Sequence, residues 1–242
     1  MTDKIKDFQV VLTGIIIALS LVVCAKIIAS NVSNAGLAVT GTAFEIVTSD
    51  TAVWRIEITA ANPVKTAAYN KLTADCPRVK EFLVKNGVND SEIEVENLNS
   101  YASNKINDKT GYSTNEVYMY NFSQTFKITS SNVDKIKSLS NEIYGLTDSG
   151  INIASYPPSF TYSKINDIKL KLLEAATMDA KNRAINMLRA TNNHVGAIKS
   201  ARMGVFQITA PESNDVSDYG NNDTASIKKK VTAVSNVVFS VK

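Results

Sequence analysis

The sequence predicts an α+β fold: an antiparallel-rich sheet with helices packed on one face, in two related β-α-β halves, preceded by one N-terminal transmembrane helix. Three observations carry this prediction. Segments with period-two alternation recur along the chain, three stretches carry an apolar stripe at helical spacing, and the 22 residues from Phe8 to Ala29 hold a single charge, Lys26.

The apolar stretch divides the chain into residues 1–7, a short cytoplasmic N-terminus; 8–29, an anchor; 30–36, a linker; and 37–242, one domain. At about 1.5 Å per residue, a helix of this stretch reaches roughly 33 Å, enough for a hydrocarbon core of about 30 Å. Phe8, Ile15, Ile16, Ile17, Leu21 and Val22 spread around the helical wheel as lipid exposure requires, and Lys26 is placed to snorkel to the headgroups. Lys4 and Lys6 precede the stretch, and after Lys26 no Lys or Arg occurs before Arg55. That asymmetry predicts a single-pass protein of the cytoplasmic membrane, with the N-terminus in the cytoplasm and the C-terminal domain outside. A cleaved signal peptide, with Val23-Cys24-Ala25 at the cut, is the competing reading.

From Leu37 to Ile46 the chain reads as a strand, and alternation of Trp54, Ile56 and Ile58 with Arg55, Glu57 and Thr59 reads as its antiparallel partner across a turn at 48–50. A helix follows from Asn62, with Pro63 at its first position, to a stop at Gly87. Pro77 predicts a kink or break inside it. Residues 93–102 read as a strand and 103–114 as a polar, flexible loop turning at Asp108-Lys109-Thr110-Gly111. In VYMYNFSQTFKIT, Tyr118, Tyr120, Phe122, Phe126 and Ile128 share one face, expected to be core. Ser131 and Asp134 resemble a capping box for a helix striped by Val133, Ile136, Leu139, Ile143 and Leu146. Residues 58–65 and 128–135 repeat the same passage from strand to helix, which is the basis for two related halves.

Pro157-Pro158 breaks a strand in residues 150–163. The long helix expected over 167–192 would bury Leu170, Leu173, Ala176, Ala180, Ala184, Met187 and Leu188, its small residues allowing close packing on a sheet. A strand at 197–209, a polar loop at 211–225 and a last strand at 231–241 complete the domain. The triplet Lys228-Lys229-Lys230 reads as a solvated strand end.

Composition excludes several functions. With 26 Lys plus Arg against 23 Asp plus Glu, the net charge of +3 offers no field for nucleic acid. Cys24 and Cys76 form no disulfide framework, and one histidine, His194, reads as a helix-end residue. No cofactor and no metal is expected. Glu212, Asp215, Asp218 and Asp223 crowd the last loop beside Tyr219. Hard oxygen ligands there would suit Ca²⁺, but the spacing is not that of an EF-hand, and a loop at a subunit contact is the preferred reading.

The run Phe160-Thr-Tyr-Ser-Lys-Ile-Asn-Asp-Ile-Lys169 leading into LLEAATMDAKNRA resembles the SIMPL-domain proteins of bacterial envelopes. So do Gly204-Val-Phe-Gln-Ile-Thr209, Val216-Ser-Asp-Tyr-Gly220, Asp223-Thr224, Ser226-Ile227 and Val231-Thr-Ala-Val234, with Val39-Thr-Gly41 and Ala52-Val-Trp54 at the start. Pro77 and the NDKTG turn depart from that pattern. The resemblance implies a periplasmic or membrane-anchored α+β domain, in some members assembled into ring-shaped or channel-like homo-oligomers, and it carries over no catalytic residues. The expected function is therefore a non-enzymatic, membrane-anchored envelope protein whose partners are further copies of itself and the lipid bilayer. The alternatives are a ligand-binding envelope module and a hydrolase of envelope material.

Overall fold

The computed structural model describes the backbone of residues 2–32 and 36–242 and the side chains of 12–27 and 36–242. Its elements are α1 (Thr2–Val32), β1 (Leu37–Thr48), β2 (Thr51–Asn62), α2 (Lys65–Lys85), β3 (Ile93–Val95), β4 (Asn99–Ile106), β5 (Ser113–Ser130), α3 (Val133–Glu142), β6 (Asn152–Ser155), β7 (Ser159–Thr161), α4 (Ile165–Arg189), β8 (Val195–Met203), β9 (Gln207–Thr209) and β10 (Lys228–Val241). The α+β class and the antiparallel pairing are as expected. The chain divides into two compact units: one of Met1–Ala43, Leu170–Val205 and Ala233–Lys242, and one of Phe44–Lys169 and Phe206–Thr232.

The larger unit is built on a sheet in the order β3-β5-β2-β6, with β4 also paired to β5 and β7 to β2, all antiparallel. Helix α2 leads from β2 towards β3, and α3 from β5 towards β6. The result is two interlocked β-α-β passages, the β-α-β-β-α-β arrangement of ferredoxin-like domains. On β2, burial falls on every second residue from Ala52 to Ala60, so one face of the sheet carries the core. There Trp54, Ile56 and Ile58 meet Phe126 and Ile128 of β5, Leu72, Val79 and Leu83 of α2, and Ile136 and Leu139 of α3. The indole N–H of Trp54 donates to Ser155 Oγ at 3.0 Å, so its one polar atom is satisfied inside that core.

Several expectations are corrected here. β1 and β2 do not form a hairpin, and among the described residues there are two sheets instead of one. Both edges of β2 are occupied, by β5 and by β6 with β7, and β1 pairs with β10 instead. The connection is held by Asp50, which accepts from the Ser163 N–H at 2.9 Å and hydroxyl at 2.6 Å. Helix α2 runs unbroken through Pro77. Proline costs a helix interior about 3 kcal/mol. Fully burying Val79 and Leu83 beyond it returns about 1.5–3 kcal/mol each, which outweighs that cost. Pro63 lies in the turn before α2, where the Asn62 side chain accepts from the Val64 N–H. Asn132, not Ser131, caps α3 by accepting from the Lys135 N–H.

The expected stop at Gly87 holds. Its φ of +83° and the bonds Gly87 N–H to Val84 O and Val88 N–H to Leu83 O form a Schellman motif. Pro157-Pro158 does interrupt a strand, leaving β6 and β7 on either side. The region expected as a flexible loop at 103–114 is mostly ribbon: β4 continues to Ile106, and the Asn107 side chain caps a tight turn to Gly111. Asn, Ser and Thr in alternation look like loop sequence, but nothing prevents them from pairing when neither face must be buried.

In the smaller unit α4 buries Leu172, Ala176, Ala180, Ala184 and Leu188, a straight i, i+4 stripe. Leu170 and Met187, expected inside, are exposed. Ala176 and Ala180 bring the helix backbone onto Gly41 so closely that a Cβ there would lie 2.1 Å from the Ala176 carbonyl oxygen. Val39, Val237 and Phe239 complete this thin core. The long strand expected over 197–209 is divided into β8 and β9 around residues 204–206.

Among the described residues no helix is long and apolar enough to cross a membrane. Of the expected anchor residues, Ile15, Ile16, Ile17, Leu21, Val22 and Lys26 are all exposed, whereas Phe8 lies outside the described side chains. Residues 33–35 of the expected linker lie outside the described residues.

Candidate functional site

The loop expected to make a subunit contact lies in the larger unit and is held from beneath by three side chains. Gln207, buried on β9, donates from its amide to the Ser217 carbonyl at 2.7 Å and accepts from the N–H groups of Asn221 at 3.0 Å and Ser217 at 3.3 Å. A side-chain amide thus pairs with the loop as a neighbouring strand would. Lys229, only 2% exposed, donates from Nζ to the carbonyls of Asp223 at 2.6 Å and Ser226 at 2.7 Å. Lys230 donates to the Ser213 carbonyl at 2.7 Å. Ile208 and Asp223 also exchange backbone bonds with the loop and with β9, through Ile208 N–H to Asn221 O and Asp223 N–H to Ile208 O.

These anchors give each acidic residue a distinct place. Asp223 accepts at Oδ1 from the Ala225 and Ser226 N–H groups. Burial pushes its carboxyl up, but the Ser226 bond, these N–H groups and the Lys229 ammonium together hold it below the ordinary value. Burial also lowers the Lys229 ammonium, against the opposing pull of Asp223. Asp215 accepts from the Ser213 hydroxyl and gives its own N–H to that oxygen. Glu212 and Asp218 are exposed. The Ser217 carbonyl accepts from the Gly220 N–H at 3.0 Å, closing a turn whose tip is Asp218 and Tyr219. Tyr219 is 97% exposed and Val216 81%. A rigid loop therefore holds an aromatic and an aliphatic side chain in solvent.

The same geometry argues against Ca²⁺. A cation at Asp223 Oδ2 would stand beside the buried Lys229 ammonium, 4.0 Å away. Among the described residues no group of three or more His, Cys, Asp or Glu is placed to hold a metal ion. His194 follows α4 as expected, and its N–H and carbonyl pair with Lys242, tying down the end of the chain. Cys76 is half-buried, and burial followed by the Asp75 charge pushes its thiol up to about 11, so it is inert. In the aromatic strand Phe122 and Phe126 are core, but Tyr118 is exposed.

Lys229 and Gln207 were not expected to hold the loop, and a solvated Lys229 is corrected by its burial. A signal for it exists: Lys229 occupies the same period-two register as Val231, Ala233, Ser235, Val237 and Phe239, all buried. A cation in phase with a buried strand face must find carbonyls or a carboxylate, and the loop supplies them.

Among known families, that described as SIMPL, protein of unknown function (DUF541), matches residues 37–239. The chain belongs to the SIMPL family. A comparison with curated proteins returns no match. The segments that carry the SIMPL resemblance include Gln207, residues 216–220, Asp223 and Ser226, which are the residues that build and pin this loop.

Proposed function

We propose that this SIMPL protein is a non-enzymatic envelope protein, anchored by its N-terminal helix in the cytoplasmic membrane, whose outer domain self-associates into a ring-like or larger homo-oligomer. The observation that carries this reading is the pinned loop with Val216 and Tyr219 at its surface. Ordering a flexible loop on association costs free energy, and this loop is already ordered by Gln207, Lys229 and Lys230. A preorganised, exposed tyrosine is the kind of side chain that dominates protein interfaces. The anchor is supported by the single charge in residues 8–29 and by the exposure of the apolar side chains described in α1.

Electron microscopy or light scattering of the full-length chain in detergent tests the assembly, with multi-subunit particles expected and monomers alone overturning it. Alkaline carbonate extraction tests the anchor: the protein stays with the membrane if residues 8–29 span it, and is released if they do not. A ligand-binding reading has one observation in its favour. Leu170, Leu173, Thr177, Met178, Ile198 and Phe239 line an open groove of about 370 Å³ in the smaller unit, within the range of small-molecule sites.

A further inference from the structure

In the smaller unit α4 packs on β1 and β10: Ala176 and Ala180 close on Gly41, and Ala180 and Ala184 meet Val39, Val237 and Phe239. Beside the helix lies the edge strand β8, and the open groove of about 370 Å³ runs between the two. Phe239 is its buried floor. Ile198 stands opposite Phe239 in the register of β8 and β10, so both side chains are on the helix side of the sheet. Leu170, Met178 and Ile198 are 71%, 52% and 53% exposed, which leaves three large apolar side chains of the groove in solvent. A second cavity, of about 510 Å³, continues along the helix and is lined by Ile185, Arg189, Asn192 and His194. Lys181 lines both cavities. Positions 170, 174, 178, 181, 185 and 189 follow at spacings of three and four, so they form one row along α4.

We infer that this row binds a single lipid molecule with one hydrocarbon chain and a phosphate head. The chain lies in the groove at Leu170, Met178 and Ile198, and the head sits at Lys181 and Arg189. This goes beyond self-association and gives the ligand-binding reading of the groove its ligand class. Charge selects the occupant. Arg183 pairs with Asp179 at 2.8 Å, whereas Lys181 and Arg189 meet no carboxylate among the described residues. Glu174, the one carboxylate lining either cavity, precedes Lys181 by seven residues, about 10 Å along the axis, and belongs to the apolar end. It repels an anionic head from that end and so fixes the direction in which the lipid lies. The helix C-terminal dipole disfavours an anion only within the last turn, where Arg189 offsets it. A phosphate monoester carries about two negative charges at pH 7 and matches both cations, whereas a carboxylate carries one. The volume is that of a small-molecule site, and a protein partner would need about 800 Å² on each side.

The test photolabels the full-length chain, in a non-ionic detergent, with dodecyl phosphate carrying a diazirine in its chain, and maps the label by peptide mass. Label is expected within 170–178 and at Ile198. Unlabelled dodecyl phosphate should displace it, and dodecyltrimethylammonium, with the same chain and the opposite charge, should not. Lys181→Glu/Arg189→Glu reverses the charge at the head, and Met178→Asp sets a charge in the groove. These three side chains are exposed, so the melting temperature should stay that of the wild type, while each variant lowers the groove label at least about ten-fold. Label confined to residues 12–27, groove label that neither variant lowers, or equal displacement by the cationic amphiphile overturns the lipid site. So does a groove labelled in monomers but not in assembled particles, since a second copy would then cover it. Particle mass, read in the same samples, judges self-association separately, so a failed lipid site leaves that reading standing.

Discussion

The loop at 211–225 and the two-stranded arm at 99–119, formed by β4 and the first part of β5, are both rich in Asn and Ser and both carry tyrosine, yet their structures are held by opposite means. The loop has almost no regular structure of its own and is fixed by long side chains reaching up from buried positions on β9 and β10. The arm has a backbone ladder, with register shifts after Ser103 and after Asn104, and no buried residue on β4. Local polarity therefore decides neither rigidity nor exposure. What decides them is whether a polar group elsewhere is buried and must be satisfied. Each region still presents tyrosine to solvent, the loop from a platform pinned by side chains and the arm from a two-stranded ribbon.

The contrast can be broken most severely at Lys229. Lys229→Met leaves the carbonyls of Asp223 and Ser226 without their donor and is expected to cost about 3 kcal/mol, read from urea unfolding. Gln207→Leu removes three neutral hydrogen bonds, with an expected loss of about 1–3 kcal/mol. It should also make proteolysis within 211–225 faster while cleavage in the arm stays as in the wild type. If the loop remained resistant, its rigidity would come from somewhere other than Gln207.

Acid sharpens the comparison further. The folded Asp223 carboxyl lies below its unfolded value, so its contribution is present above about pH 4 and is lost as pH falls through the folded value. Asp223→Asn should therefore flatten the acid limb of a melting profile. On the arm, the Lys105 hydrogen bond and charge lower Glu116 too, but both groups lie in water, and Glu116→Gln should leave that limb unchanged. Smallest of all, Tyr101→Ser in the isolated chain should alter stability by less than about 0.5 kcal/mol, because that side chain is 67% exposed.

Much of the larger unit was legible from periodicity alone. Trp54, Ile56 and Ile58 identify their strand, Pro157-Pro158 marks the gap between β6 and β7, and Gly87 ends its helix as expected, in a left-handed turn. The separation of β1 from β2 was not legible, because it depends on a partner strand at the far end of the chain. The Thr40 hydroxyl bonds the Asn236 side chain across 196 positions of sequence. Helix α4 was found with Ala176, Ala180, Ala184 and Leu188 buried as expected, but Leu172 is buried where Leu170 and Met187 were expected to be. Leu170 and Met187 are more hydrophobic than Ala176 and Ala180, yet close approach to Gly41 favours the smaller residues. Within the loop the acidic residues drew attention by their charge. Of the residues that hold it, Gln207 lies in a three-residue strand too short to show a period, whereas the burial of Lys229 follows the register of Val231 to Phe239.

Self-association of the full-length chain is the claim on which the role of the loop depends. Sedimentation of that chain in detergent, at concentrations from dilute to that of a packed membrane, measures it directly. The account predicts one assembled species of several subunits that persists on dilution and loses mass with Val216→Ser/Tyr219→Ser. A monomer at every concentration would contradict it.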